Sequence, residues 1–396
     1  MMQQSQNTSG WSKIIIRLFW AAFFGMLAFL TIFYLSASFF SYEKPQAFSG
    51  AHIHSPYPAV FPQTTVSLSF DLNALHLADL LINGKLRTNF KFYDTLSNTT
   101  DKIDISNFQF MHRYIDNNND KLLIYRHGYG LTDDQQLCFG AKKVVWTDYP
   151  FFQDLRHKQD IIWKLNQTSY LVALTDPGRS YTADELRFLS GYQLIELTNT
   201  DADALKVWDL VLSHGHRANL LLSNLSRSQS LNLEEQKIHT VQLLINELNI
   251  NQLLECLANG SYYCLSRPES VVNTPSPQLQ QLVIQNDTFS LGINKPASEI
   301  RLIGQDGRLL KKLADTNQLN YLMRDTDTYI RAEMQFTDGS QLFLNPVFRH
   351  ENIDFKPQSP AIFDTDKTAL MRGIYTVLLV LLFMIIFRIF LKRARN

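Results

Sequence analysis

Four places in this chain hold residue types that could do chemistry. His52 and His54 form a His-x-His pair, which puts both imidazoles on one face of a strand because side chains alternate with period two. Such a pair is a natural start for a metal site. Arg126 with His127, Asp176 before Pro177, and the stretch from Asn224 to Arg227 each follow a short apolar run: Leu122-Leu-Ile-Tyr125, Leu171-Val-Ala-Leu174 and Leu220-Leu-Leu222. Imidazoles and carboxylates can ligate a divalent ion, whereas a guanidinium is suited to a two-pronged grip on phosphate. The plainer alternative for each arginine is an ion-paired residue that fills space.

The elements that must position these groups follow from the same runs. Short apolar runs closed by polar, Gly or Pro residues read as buried parallel strands. Helical patterns lie between them at 157–166, 182–189 and 202–214. Strand and helix in alternation predict crossover connections and a parallel sheet or barrel, with function on the loops at the carboxyl ends of the strands. A further strand is expected over 136–146, pairing with 149–152. His157, His214 and His216 are read as exposed, and Trp146, Trp163 and Trp208 as core.

The chain has 396 residues, with 37 Lys and Arg against 37 Asp and Glu. That balance gives no support to a nucleic-acid partner, which calls for a basic excess. Three cysteines are too few for a disulfide framework; Cys256 and Cys264 either pair or stay as buried thiols.

Both ends carry membrane signals. Residues 18–40 hold no charge, and 373–391 form a second apolar stretch with Arg388 near its end. A span needs about 20 apolar residues, and the first run is too long for the core of a cleaved signal peptide. Lys13 and Arg17 precede the first span; Arg388, Lys392, Arg393 and Arg395 close the second, opposed by Lys367 and Arg372. The basic residues predict that 1–17 and 392–396 are both cytoplasmic, in a bacterial inner membrane, with the main body in the periplasm.

Farther along, 233–248 reads as a helix, and 251–258 as another that Asn259-Gly260 terminates. The proline-bearing stretch 268–277 reads as a linker. From 279 to 350, apolar and polar residues alternate around Asp306-Gly307 and Asp338-Gly339, which are hairpin signals. That texture predicts a small antiparallel β-sandwich.

Several motifs carry a resemblance. They are Ala51-His-Ile-His-Ser55, Ile105-Ser-Asn-Phe108, Tyr125-Arg-His-Gly-Tyr-Gly130, Gln136-Leu-Cys-Phe-Gly-Ala-Lys-Lys143, Ala173-Leu-Thr-Asp-Pro177, the long run 181–196, Trp208-Asp209, 220–228 and Asn345-Pro-Val-Phe348. Together they resemble the PHP (polymerase and histidinol phosphatase) family in its membrane-attached bacterial branch. The resemblance implies a distorted β/α barrel over 48–266, then the β-sandwich. It also implies up to three divalent metals at the carboxyl ends of the barrel strands, hydrolysing phosphoesters.

Set against that family, this chain keeps His52, His54 and His127. Asn107 and Phe108 stand where the family has Asp-His, Arg126 where it has a bridging Glu, and Asp176 where it has His. Asn224 stands for Asp and Arg227 for the last His. A guanidinium cannot ligate. Only His52, His54, His127 and Asp176 remain for one divalent ion, zinc or manganese. The expected function is therefore a pseudoenzyme without its metal centre, a binding or assembly module of a cell-envelope complex. The alternative is a metal-dependent phosphoesterase with a reduced or unorthodox site, in which Arg126 and Arg227 bind a phosphate or other anion.

Overall fold

The computed structural model describes residues 8–61, 66–72, 89–93, 100–102, 112–115, 121–128, 134–149, 151–225, 237–245, 249–351 and 360–394. In chain order the first elements are α1 (Thr8–Leu35), β1 (Phe40–Tyr42), β2 (His52–His54), β3 (Val66–Leu72), β4 (Asn89–Tyr93), β5 (Thr100–Lys102), β6 (His112–Ile115), β7 (Lys121–His127) and β8 (Gln135–Phe139). Next come α2 (Leu155–Thr168), β9 (Leu171–Thr175), α3 (Pro177–Ser180), α4 (Ala183–Phe188), β10 (Leu194–Leu197), α5 (Ala202–Ser213), β11 (Asn219–Leu222), β12 (Asn224–Leu225), β13 (Lys237–Leu243), α6 (Ile250–Asn259) and β14 (Tyr262–Pro268). The rest are β15 (Leu279–Gln285), β16 (Thr288–Gly304), β17 (Arg308–Leu322), β18 (Tyr329–Gln335), β19 (Gln341–Leu344), β20 (Val347–His350), β21 (Ala361–Phe363) and α7 (Thr365–Ala394).

The chain divides into two compact units. The first comprises Met1–Ser41, Gln153–Asp160 and Ile362–Asn396. Its two long helices contain windows, Leu18–Leu35 and Thr365–Ile385, long and apolar enough to cross a membrane, and only 6% of each window is buried. A soluble core helix would be mostly covered, so the exposure separates these two from that class. The helix α1 stops at Leu35, short of the expected Phe40, because the apolar residues beyond it have partners in protein. Ala37 and Ser38 are buried. Arg372 satisfies the end of α1, donating from Nε to Ser36 O at 3.0 Å and from a terminal nitrogen to Ser38 Oγ at 3.0 Å. The Phe39 ring takes cation–π contacts from Arg156 at 4.7 Å and Lys367 at 5.0 Å. In the same unit, Asp160 Oδ1 accepts from Ser38 N at 3.1 Å and His157 Nε2 lies 3.1 Å from Tyr34 O. His157 is thus buried rather than exposed, as is His216.

The second unit comprises Tyr42–Phe152 and Ile161–Ala361 and is mixed α/β. One sheet has six strands in the order β11-β10-β9-β8-β7-β6. Strands β9, β10 and β11 are parallel; the apolar runs predict β9 and β11, and β10 lies between them. Strand β8 is antiparallel to both β7 and β9, so β7 runs the same way as β9. The sheet is open and mixed, not the closed barrel that strand–helix alternation suggested. Two hairpins, β6–β7 and β7–β8, replace crossovers in its first half. Of the expected strand at 149–152, the described residues Tyr149, Phe151 and Phe152 are not in a strand.

Helix ends follow their sequence signals closely. Thr182 and Glu185 form a reciprocal capping box on α4, and Asp201 caps α5. Gly260 ends α6 at φ 79°, and any Cβ there would lie 2.5 Å from Asn219 Oδ1. Asn219 needs that space, because its amide donates to the last carbonyls of α6, Leu257 O and Ala258 O.

The larger sheet, of thirteen strands, runs β15-β16-β18-β19-β14-β13-β3-β4-β5. Within the expected helix at 233–248, Lys237–Leu243 is instead strand β13, held between β14 and β3, while 233–236 and 246–248 lie outside the described residues. The expected sandwich over 279–350 is therefore no separate body. Its strands continue through β19 and β14 into the strands that precede β6. The linker at 268–277 is pinned as well, since Arg267 donates to the carbonyls of Val271, Val272 and Thr274.

The two sheets meet at β11. Its free edge is closed by Asn345, whose Oδ1 accepts from Leu220 N at 2.8 Å, and by Cys264, whose Sγ contacts Leu220 O at 3.3 Å. Cys138, Cys256 and Cys264 are all free and buried, so Cys256 and Cys264 form no disulfide. Above the joint, α5 is clamped to β18. Arg331 grips Asp209 at 2.6 and 2.7 Å, also bonds Glu333, and stacks on Trp208 at 4.8 Å. Removing one partner from a buried ion pair leaves an uncompensated charge and costs about 3–5 kcal/mol. Arg331→Met should lower unfolding stability of the full chain in detergent by that order. Pairing it with Asp209→Leu should recover most of the loss. A single-variant loss within experimental error of zero would show that this pair does not hold the sheets together.

Candidate functional site

Because β7, β9, β10 and β11 run the same way, their carboxyl ends share one end of the six-stranded sheet with the start of β8. That end gathers a polar cluster. Arg126 near the end of β7 donates to Gln135 Oε1 at 2.9 Å and pairs with Glu196 of β10 at 3.5 Å. The two side chains are 4% and 0% exposed, so this is an interior ion pair. Ser223, just past β11, donates to Glu196 through a short hydrogen bond. Burial pushes the Glu196 carboxyl above its ordinary range and the nearby Asp176 adds to this, while Arg126 and Ser223 pull it back.

Asp176 follows β9 in a left-handed backbone conformation, φ 38°. Its Oδ1 accepts from Thr198 N at 2.8 Å and its Oδ2 from Thr198 Oγ1 at 2.6 Å. Asn224, past β11, accepts from His239 N at 2.7 Å and donates to His239 O at 3.0 Å. Burial, with Lys237 nearby, pushes the His239 ring down to about 4. Arg126, Asp176 and Asn224 are thus brought together, joined by Glu196, Thr198 and His239.

The other expected members are elsewhere. His127 is next to Arg126 in sequence, so alternation along β7 sends it to the opposite face. There its Nδ1 lies 2.9 Å from the Gln136 amide and its Nε2 3.0 Å from Thr147 O. Its burial lowers its pKa. His52 and His54 lie on β2, paired with β20. His54 stacks on Phe348 and sits 3.4 Å from Arg217, and burial, Arg217 and His350 push it down to about 4. Arg217 precedes β11, whereas Asn224 follows it. At about 3.3 Å per residue, the extended chain from 217 to 224 covers about 23 Å, so the His-x-His pair faces the other end of the parallel strands. Asn107, Phe108 and Arg227 lie outside the described residues.

The four residual metal candidates therefore do not form one set. Among the described residues, no three His, Cys, Asp or Glu side chains are grouped to hold a metal. A phosphate clamp at Arg126 is not what its surroundings offer either, since its guanidinium is neutralised by Glu196. Sequence reasoning missed Glu196 and His239. The signal for Glu196 was a carboxylate inside the apolar run Leu194-Ile-Glu-Leu197, which demands a buried cation.

Removing Arg126 should expose the cost of the Glu196 carboxylate. With its folded pKa raised further above the ordinary 4.5, Glu196 keeps a proton that the unfolded chain has released. Stability is then fullest below that ordinary value and is lost as pH rises through the folded one, by about 1.4 kcal/mol for each tenfold gain in proton affinity on folding. Denaturant midpoints of Arg126→Met should fall from the glutamate range to neutrality more steeply than those of the wild type. Adding Glu196→Gln should flatten that limb, and parallel pH profiles in all three proteins would refute the pairing. No protein-family model, curated protein or solved structure matches this chain.

Proposed function

We propose that this chain is a membrane-tethered, non-hydrolytic binding or assembly module of the bacterial cell envelope. On this reading it is PHP-like, and its six-stranded sheet is an opened relative of the family's β/α barrel. One observation carries the proposal: where that family would place metal ligands at the strand ends, the described side chains are engaged with protein. Arg126 is paired to Glu196, both Asp176 oxygens accept from Thr198, and both ends of the Asn224 amide bond the His239 backbone. Each of these oxygens already accepts a hydrogen bond from protein, which a metal would have to share.

A unit cation about 4 Å from the Arg126 guanidinium would be repelled by that charge by roughly 4 kcal/mol at an effective dielectric near 20, part of which the Glu196 carboxylate cancels. Orientation in this proposal follows the basic residues outside each span, with Lys13 and Arg17 at one end and Arg388, Lys392 and Arg393 at the other. Lys367 and Arg372, which oppose them, have local work at Phe39 and at the end of α1. Both termini are then cytoplasmic, the second unit is periplasmic, and the partners are envelope proteins.

Two measurements test this. Full-length protein purified in detergent should carry no stoichiometric metal after dialysis. It should also show no phosphoesterase activity above background with manganese, zinc or iron added. Stoichiometric metal together with hydrolysis that His54→Ala abolishes would establish the enzyme instead. A reporter fused after Asn396 that works only outside the cytoplasm would overturn the orientation.

A further inference from the structure

We propose that the segment between β8 and α2 is a membrane-interface element: Trp146, Phe151 and Phe152 enter the headgroup region of the bilayer crossed by α1 and α7, with Lys142 and Lys143 beside them for anionic lipid. The proposal rests on the reading of α1 and α7 as spans.

The first observation is where exposed aromatics occur. Trp146, Phe151 and Phe152 are 61%, 57% and 61% exposed. Tyr170, also exposed, has its Cβ packed at Gly140, where the segment begins. Among the described residues, every exposed Trp, Phe or Tyr outside α1 and α7 lies in this segment or against its start. Single exposed apolar residues are ordinary, but such a concentration marks an interaction surface. Lys142 and Lys143 are exposed in the same segment.

The second observation is that the segment is held in shape from within. Val145 is buried and its N–H donates to the Tyr125 hydroxyl at 3.1 Å. The Thr147 carbonyl meets His127 Nε2 at 3.0 Å, and Tyr149 is buried. The inward residues are anchored while Trp146, Phe151 and Phe152 point to solvent. A preformed apolar prominence fits a fluid lipid interface, where aromatic rings concentrate.

The third observation is covalent. Phe152 is bonded to Gln153, which opens the Gln153–Asp160 segment of the first unit. In that segment His157 Nε2 lies 3.1 Å from Tyr34 O, in the last turn of α1. Phe152 is five positions before His157, so the covalent chain alone limits the separation of their Cα atoms to about 17 Å. The end of a span is where lipid headgroups begin.

Nitroxide labels placed by Trp146→Cys, Phe151→Cys and Phe152→Cys test this in the full chain. The vesicles should be made of phosphatidylethanolamine and phosphatidylglycerol. Burial pushes the native Cys138, Cys256 and Cys264 thiols up to about 12, so they stay protonated and unlabelled. Lys206→Cys on the exposed face of α5 serves as the water control and Phe24→Cys in α1 as the lipid control. The expected result is a ratio of oxygen to nickel-chelate collision several-fold above that at 206 and below that at 24, at all three sites. Nickel access equal to that at 206, with 24 still in lipid, would overturn the interface and leave the spans standing. Nickel access at 24 would overturn both readings. Shielding of the three sites from both reagents would show a protein contact and overturn the lipid assignment.

Discussion

A guanidinium that cannot release its proton has been buried at one end of a sheet, and much of the second unit answers to that fact. Arg126 needs a counter-ion in a place where water cannot serve. Glu196 supplies it from β10, although β8 and β9 lie between the two strands. Three strand spacings in a flat sheet would separate their backbones by about 14 Å. The two long side chains span that gap across one face, linking the carboxyl ends of β7 and β10. Gln135 on β8 bonds Arg126 on the way. The strand ends are thus tied by charge, and the polar residues there serve as internal fastenings.

A second constraint is the edge of that sheet. An uncovered parallel edge strand with three buried leucines would invite another chain. Here β11 is closed by single side chains instead of a neighbouring strand in its own sheet. Asn345 does most of this, taking Leu220 N and giving its amide hydrogens to Gly260 O and Tyr262 O. One buried amide therefore binds β11, the end of α6 and the start of β14 together. The Asn345-Pro-Val-Phe348 stretch, which looked in sequence like the close of a separate β domain, is the joint between the two sheets.

These joints explain what could be read from sequence and what could not. Local signals were legible: α5, α6 and the parallel strands β9 and β11 follow from caps, Asn-Gly termination and apolar runs. Non-local ones were not. The 233–248 stretch has leucine and isoleucine at helical spacing, yet β13 forms because β14 and β3 offer ladders on both sides, and tertiary pairing outweighs a weak local preference. The whole of β17 escaped notice because it mixes polar and apolar residues along an outer strand paired only to β16. At the cluster, Arg126, Asp176 and Asn224 were legible as strand-end residues. Their true partners lay 70, 22 and 15 positions away, beyond any local pattern.

His127, beside Arg126 in sequence, is engaged within the protein on the other face. Burial lowers the pKa of its ring. The carbonyl of Thr147 can only accept, so Nε2 donates there, while Nδ1 lies 2.9 Å from Gln136 Oε1. Gln136 Nε2 in turn donates to the Tyr181 hydroxyl at 2.6 Å. Hydroxyl, amide, imidazole and carbonyl thus form one connected chain from Tyr181 to Thr147. Arg126 and His127 therefore divide the work of one strand end between its two faces. The arginine fastens the strands to one another, and the histidine fixes the loop that carries Trp146.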